Sequence, residues 1–426
     1  MTNLIVHGGV PISGTVKPSG NKNAVLPMLC ASLLSDEKIT LTNVPEITDV
    51  QKISEYFSSL GSEVDWDKSA ETITVTHSDI QVSGTMLPTG IRSSVLLIAP
   101  MLRRVGKLRF DTSSRGCTLG LREIDPHLYI VQEFGAELRG HHPYELALDT
   151  RESAEVWADY ASVTATETFI MMAVLARGTS VLNNAASEPH IQEFCNFLNM
   201  LGAQIEGIGT SRLTIHGVES LAGGEYRVPD DHHEVATFLA IGGVSGGTLR
   251  VETTIVPHME LIIRQLEKLG LEITKEADAL TVTGWNRKIK APLTAEMLQK
   301  IEAAPWPYFP VDLLPQMIAI AVGAEGDILF WNKIYEGAMS WASDLSNFGV
   351  KTHLSDPHRL IVFGGNDLRP ASVQAPYIIR VVVALFIVAI QIDGKSKIRD
   401  ADPITRAHPH FISRLQDLGA RVEWEE

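Results

Sequence analysis

The chain has 426 residues, more than one compact core usually holds, which points to two or three domains. Apolar residues make up 45% and charged ones 20%, with 33 Gly and 21 Pro, a balance that excludes disorder, collagen-like repeats and low-complexity arrays. Lys and Arg number 36 against 51 Asp and Glu, a formal charge of −15, which argues against a nucleic-acid or anionic-membrane binder. Any anionic ligand must then be met by a few placed cations.

In chain order, the first residues lack the basic and apolar regions of a secretory signal, and residues 4–6 read as a strand, followed by a second extended stretch from Gly14. A short alternating strand then recurs after a turn, starting at Glu37, Gly106, Gly178, Gly247, Gly326 and Gly394, with spacings of 69, 72, 69, 79 and 68 residues. Each is preceded by a helix-like stretch apolar on nearly every face (23–34, 91–102, 166–175, 235–243, 313–322, 379–390), the pattern of a helix buried on all sides. Each is followed by an amphipathic helix closed by Leu-Gly or Phe-Gly at Gly61, Gly135, Gly202, Gly270, Gly349 and Gly419, and then by strand-like alternation. The clearest of these helices takes Thr48-Asp49 as its N-cap and puts Gly61 at the left-handed C′ position.

A unit of about 70 residues is too large for a solenoid repeat, so six units are expected to form two globular domains with helices inside and sheets outside. The N-terminal stretch, residues 4–6 and then the segment from Gly14, precedes the first buried helix and is expected to complete the sheet of the last unit. The longest apolar run, Val381 to Ile390, is about half the ~20 residues that cross a bilayer, so no membrane span is expected. Three cysteines, an odd number, point to a reducing cytoplasm rather than a disulfide framework.

Two basic clusters carry candidate chemistry. Lys17-Pro-Ser-Gly-Asn-Lys22-Asn23 opens the first buried helix, where backbone donors and a cation suit a phosphate or carboxylate, although a lysine before a helix is more often solvated surface. Further on, Cys117 lies between Gly116 and Gly120 in a loop with Arg115 and Arg122, cations that favour its thiolate. Cys30 and Cys195 fall inside apolar helices and read as small buried hydrophobes. Arg92, Arg380 and Arg406 interrupt apolar helix starts and need anionic partners, from a ligand or from internal acids. Asp312 opens the fifth buried helix as a cap or a general base. The pairs His141-His142, His232-His233 and His408/His410 show no metal-ligand spacing with Cys or Glu, so no zinc is expected. There is no Walker loop, no dinucleotide fingerprint and no nucleophile elbow.

Lys22-Asn23 after Ser-Gly, the loop Gly116-Cys-Thr-Leu-Gly-Leu-Arg122 with Asp125 and His127, Ser162-Val before Ala165-Thr, Asn184-Ala-Ala-Ser-Glu188-Pro and Phe309-Pro-Val-Asp312, together with the sixfold unit, resemble the UDP-N-acetylglucosamine 1-carboxyvinyltransferase (enolpyruvyl transferase) family over the whole chain. The resemblance implies an α/β fold, a two-domain inside-out α/β barrel of six repeated units, three per domain. The domains would be 21–230, carrying a mobile Cys loop at 112–122, and 1–20 with 231–426.

It also implies transfer of the enolpyruvyl group of phosphoenolpyruvate to a sugar 3-hydroxyl with release of phosphate, the first committed step of peptidoglycan synthesis, without a cofactor or metal. Lys22, Arg122 and Arg406 would hold the phosphate, with Asn23, Arg92 and Arg380 adding to the phosphoenolpyruvate site. Cys117 would be the general acid and Asp312 the base. Asn23 and Glu188 would line the sugar, Arg122, Glu123, Ile124, Asp125 and Pro126 the uridine, and Tyr160, Ser162, Val163 and Thr164 the diphosphate, with Arg92, Asp231 and Ile334 nearby. Closure of the domains on the substrates would carry Cys117 in.

The chain departs from the family pattern at Thr164 (glycine), Glu123 and Pro126 (proline and leucine), Ala338 (arginine) and Ile378 (aspartate). Pro403, Thr405 and Ala407 alter the His-x-Asp-Arg-Gly signature around Arg406. These departures leave two other readings: a paralogue that moves enolpyruvate to another nucleotide or nucleotide sugar in secondary metabolism, and a weakly active or inactive nucleotide-sugar-binding regulatory protein.

Overall fold

The structure is a computed structural model that describes residues 2–80, 86–111, 123–140, 143–294 and 297–425. Cys117, Arg122 and the rest of the loop 112–122, with the pair His141-His142, lie outside the described residues. The described chain divides into two compact units. The N-terminal unit comprises residues 20–111 and 123–229, and the C-terminal unit residues 2–19 and 230–425. No helix among the described residues is long and apolar enough to cross a membrane.

Six sheets form among the described residues, three in each unit. Five share one plan: a parallel edge strand, a central strand and two antiparallel strands. Thus Gly224–Arg227 runs parallel to Ile39–Thr42, which pairs antiparallel with Thr72–Thr76 and, through it, with Glu63–Asp67. The sixth sheet (Lys107–Phe110, Tyr144–Ala147, Glu137–Arg139) keeps the antiparallel part, and a single parallel bridge, Met86 to Arg109, stands where the edge strand would be. All six sheets are open and no closed barrel forms among them, so the class established is mixed α/β. The expectation for the N-terminus holds for its first strand alone. Asn3–Gly8 lies between Gly394–Arg399 and Arg421–Glu425 in the last sheet, whereas Gly14–Val16 joins Leu249–Glu252 in another.

Each unit is built around helices without a polar face. In the C-terminal unit these are His232–Ser245, Leu314–Val322 and Ile379–Ile390, which pack on one another. Every residue from Val381 to Ile390 is buried. The side chain of Gln391 ends the run by donating to Ile387 O and Ala319 O, both at 2.8 Å, tying the ends of two central helices together. His232–Ser245 lies close on its sheet because Gly242 has no Cβ; one added there would come within 2.6 Å of Leu249 Cβ.

In the N-terminal unit the corresponding helices are Lys22–Ala31, Ile98–Val105 and Val163–Ala173, the second with Arg103 and Arg104 half-buried in its last turn. The second departs from expectation. Residues Arg92–Leu97 form a 3-10 helix and the α-helix starts only at Ile98, because the ring of Pro100 excludes the carbonyl of Leu96 from an α-helical bond. The amphipathic helices surround these. Thr48–Ser59 has Ile47, not Thr48, in the cap position, which corrects the expected N-cap, and Gly61 follows its end at φ 89°.

Within this unit His77 is fully buried between two hydroxyls, its Nε2 2.9 Å from Ser32 Oγ and its Nδ1 2.7 Å from Ser62 Oγ. Burial and then the charge of Arg104 push its pKa from 6.5 down to about 4. The unfolded chain therefore binds a proton in a window where the folded one does not. The stabilisation is fully present above pH 6.5 and is lost as pH falls toward 4. We predict that acidification from about pH 7 to about pH 4.5 costs His77→Gln less stability than wild type, by on the order of 2 to 3 kcal/mol in urea titrations. Equal losses would refute this.

Candidate active site

A helix buried on all sides can carry charge only at its ends, and there the candidate residues are found. In the N-terminal unit, Lys22 and Asn23 open Lys22–Ala31, Arg92 opens the 3-10 helix, and Ser162, Val163 and Thr164 open Val163–Ala173. In the C-terminal unit, Asp231 opens His232–Ser245, Asp312 lies in the 3-10 turn Val311–Leu313 before Leu314–Val322, and Arg380 is the second residue of Ile379–Ile390. Helix starts expose unbonded N–H groups and the positive end of the dipole, so each unit gathers a face suited to anions.

Contacts link these starts within each unit. Lys22 Nζ lies 2.9 Å from Asp49 Oδ2, and Asp49 Oδ1 accepts from Ser93 Oγ at 2.9 Å, joining the first and second helix starts. Asp49 is 4% exposed, so Lys22 has a strong internal partner that a phosphate must share or displace. Neither Asp49 nor Ser93 was singled out by the sequence, since Asp49 read only as part of a cap.

His127 is hydrogen-bonded at the third start. Thr168 Oγ1 donates to Thr164 O at 3.1 Å and lies 2.7 Å from His127 Nδ1, so Nδ1 carries the proton. His127 Nε2 then accepts from the Thr164 hydroxyl at 3.0 Å. Burial, followed by the charge of Arg92, lowers the His127 pKa to about 3, which keeps the ring neutral. The hydroxyl at Thr164, where the resembled family has glycine, thus serves a local bond. Ser162 caps the helix by accepting from Ala165 N at 3.4 Å, and Tyr160 is half exposed. Ile124 is the cap position of Asp125–Glu133, with Asp125 and Pro126 in its first turn and Glu123 exposed before it.

Glu188 precedes Pro189–Met200, and its charge adds to burial in raising the pKa of Glu167, 1% exposed, well above the carboxylate range. Cys30 and Cys195 are fully buried. Burial and then Glu167 push both thiols up, Cys195 to about 12, as expected of inert core cysteines.

In the C-terminal unit Asp312 caps no helix. Its Oδ2 lies 4.0 Å from Arg380 Nε, and Arg380 Nη1 lies 3.3 Å from His408 Nε2. Arg406 ends the 3-10 helix Asp402–Arg406, which holds Pro403 and Thr405, with Ala407 next. Its Nη1 donates to the Tyr377 hydroxyl at 3.0 Å. Ile334 is exposed, its amide bonded to Asn332 Oδ1 at 3.0 Å. Lys17 is solvated surface, 3.7 Å from Glu252.

Asp231, His232 and His233, which showed no ligand spacing in sequence, bring one donor atom each within 4.8 Å of one another, because capping folds the first turn of the helix back on Asp231. Asp231 Oδ1 already accepts from His233 N at 2.8 Å and contacts His233 Nδ1 at 3.0 Å. Burial alone would raise the Asp231 pKa, but His233, Arg380 and His232 outweigh it and hold the carboxylate well below its usual range. A carboxylate so engaged, beside a guanidinium and at a positive helix end, fits a hydrogen-bonded cap better than a cation site.

Comparison with known proteins places the whole arrangement. The sequence model of the family described as EPSP synthase (3-phosphoshikimate 1-carboxyvinyltransferase) matches residues 6–415. The chain belongs to the enolpyruvyl (carboxyvinyl) transferase family. Its relatives include UDP-N-acetylglucosamine 1-carboxyvinyltransferases of Treponema denticola, 36% identical over 100% of both chains, and of Bradyrhizobium diazoefficiens, 36% identical over 98% of this chain and 97% of that one. The fold is shared with the crystal structure of the enolpyruvyl transferase NikO from Streptomyces tendae (TM-score 0.87, 23% identity, 99% of each chain) and with EPSP synthase from Acinetobacter baumannii (TM-score 0.79, 15% identity, 100% of each).

In this enolpyruvyl transferase, Asp312 and Arg380 line a cavity of about 380 Å³, mouth included, whose wall is otherwise largely apolar and contains Ile318, Trp341, Ala338 and Ile378. Ala338 and Ile378, two of the departures noted from the resembled family, thus put apolar side chains in this wall.

The His127 bond gives a direct test. Thr164→Val keeps the volume but strips Nε2 of its donor, and should lower stability by about 1 to 2 kcal/mol in urea titrations. Unchanged stability would show the bond contributes nothing.

Proposed function

We propose that the chain transfers the enolpyruvyl group of phosphoenolpyruvate to the 3-hydroxyl of UDP-N-acetylglucosamine, releasing phosphate, as the first committed step of peptidoglycan synthesis in the cytoplasm. The observation that carries this is the shared name of full-length relatives at 31–36% identity. That name favours neither another acceptor nor a purely regulatory role. The charged helix starts support it, since both substrates are anions. The finer fold reading belongs with it: three repeated units per domain in an inside-out barrel, with domains 21–230 and 1–20 plus 231–426.

In this reading Lys22, Arg122 and Arg406 hold the phosphate of phosphoenolpyruvate, and Arg92 and Arg380 add charge where water exclusion makes it most effective. Asp312 takes the proton of the attacking hydroxyl as its oxygen bonds to the central carbon. Cys117 supplies a proton to the methylene carbon, and the tetrahedral adduct then loses phosphate and that carbon's proton to restore the double bond. Asn23 and Glu188 face the sugar. Glu123, Ile124, Asp125 and Pro126 with Arg122 face the uridine, Tyr160, Ser162, Val163 and Thr164 the diphosphate, and Asp231 and Ile334 complete the acceptor side. No cofactor, metal, nucleic acid or membrane is needed.

Incubating the protein with both substrates should release phosphate, and Cys117→Ala should lower kcat by about 10²-fold or more. The epoxide fosfomycin should label Cys117 alone, because the thiols of Cys30 and Cys195 are buried and held protonated. Full turnover by Cys117→Ala, or label on Cys30 or Cys195 in a peptide mass spectrum, would overturn the role given to Cys117.

A further inference from the structure

His408, noted in the sequence only as half of a histidine pair, lies at the centre of a buried chain of charged groups in the C-terminal unit. It is 7% exposed. Its Nε2 lies 3.3 Å from Arg380 Nη1, and its Nδ1 faces Glu234 Oε1 across 3.6 Å, slightly beyond hydrogen-bond length. A guanidinium has only donors, so the contact with Arg380 uses the Nε2 lone pair. The ring proton then lies on Nδ1, toward Glu234.

Glu234 is itself fixed. It is 2% exposed, its Oε1 accepts from Arg414 Nη1 at 3.2 Å, and its Oε2 accepts from the amide of Ser19. Three segments thus fix the carboxylate that faces the imidazole: helix His232–Ser245, which carries Glu234, helix Phe411–Asp417 through Arg414, and the loop residue Ser19 beyond strand Gly14–Val16. The imidazole meets Nη1 of Arg380, whereas Asp312 stands a loose 4.0 Å from its Nε and Asp231 acts on it through charge alone. A long arginine side chain held by carboxylates without a close hydrogen bond to either would sample several rotamers. A second, buried acceptor removes that freedom.

We propose that His408 is a positioning residue whose Nε2 accepts from Arg380 and holds the guanidinium against Asp312 in the geometry that receives the anionic substrate. The inference rests on the role given to Arg380 above, and it goes further by naming the group that sets Arg380 in place.

Three substitutions separate positioning from packing. Glutamine places an amide oxygen close to where Nε2 stands, whereas asparagine, whose amide matches the Nδ1 side, and leucine, of similar bulk, place none there. His408→Leu and His408→Asn should raise the KM for phosphoenolpyruvate about tenfold, with a much smaller change in the KM for UDP-N-acetylglucosamine, and His408→Gln should recover most of the loss. In an Arg380→Ala background His408→Asn should have no further effect. Calorimetric titration with phosphoenolpyruvate alone, on protein checked for folding by its melting temperature, should show the same order of affinities.

If wild type binds phosphoenolpyruvate but releases no phosphate with UDP-N-acetylglucosamine, the functional reading fails while the calorimetric order still tests His408. Equal defects in all three single variants, or an undiminished effect of His408→Asn without Arg380, would overturn the proposal. Should His408→Leu not fold, the comparison of His408→Asn with His408→Gln decides alone.

Discussion

The organisation of this protein follows from the solvation of its central helices. A helix such as Ile379–Ile390, buried from Val381 onward, has no flank on which a charge can be hydrated. Charge is therefore confined to its ends, where unbonded amides and the helix dipole compensate an anion and where neighbouring helix starts supply partners; the acid deeper in Val163–Ala173, Glu167, has its pKa raised by burial. In one unit Asp49 links the first two starts and His127 bonds to the third, and in the other Arg380 lies against Asp312 and acts by charge on Asp231. The same constraint that forms the core thus creates a charged face, and binding capacity is a by-product of how the interior excludes water.

Much of the fold was legible because it repeats. Near-constant spacing of the turn-strand segments, all-apolar helices and a glycine after each amphipathic helix are local signals, and the six glycines all adopt positive φ between 88° and 99°. Distant pairing was read for Asn3–Gly8, which joins the last sheet as expected, but not for most other strands. The edge strand of each sheet arrives from elsewhere in the chain, so Gly14–Val16 was assigned to the wrong sheet, and the start of the second central helix was misread because the effect of Pro100 falls on the preceding turn.

The candidate site was legible by residue type and not by pairing. Lys22, Arg92, Asp312 and Arg380 were found as charges interrupting apolar stretches, yet Lys22 meets Asp49, Asp312 meets Arg380 and Arg380 meets His408, each far along the chain. Thr164 illustrates the gap most clearly. In sequence it is a bulkier residue where a family glycine belongs, and in the structure its hydroxyl is consumed by a buried imidazole that sequence spacing does not associate with it. The reactive thiol read from the Gly-flanked loop lies outside the described residues, and its role rests on chemistry and kinship alone.

The placement of Asn3–Gly8 between Gly394–Arg399 and Arg421–Glu425 bears on how the molecule is made. Leu4 pairs with Ile398 and Trp424, so this sheet joins segments far apart in the chain and cannot exist before Arg421–Glu425 is made. Residues 20–111 and 123–229 gather into a unit of their own, whose three sheets draw no strand from the other unit. Until Arg421–Glu425 is in place, Asn3–Gly8 therefore carries an unpaired edge that only a strand made much later can satisfy.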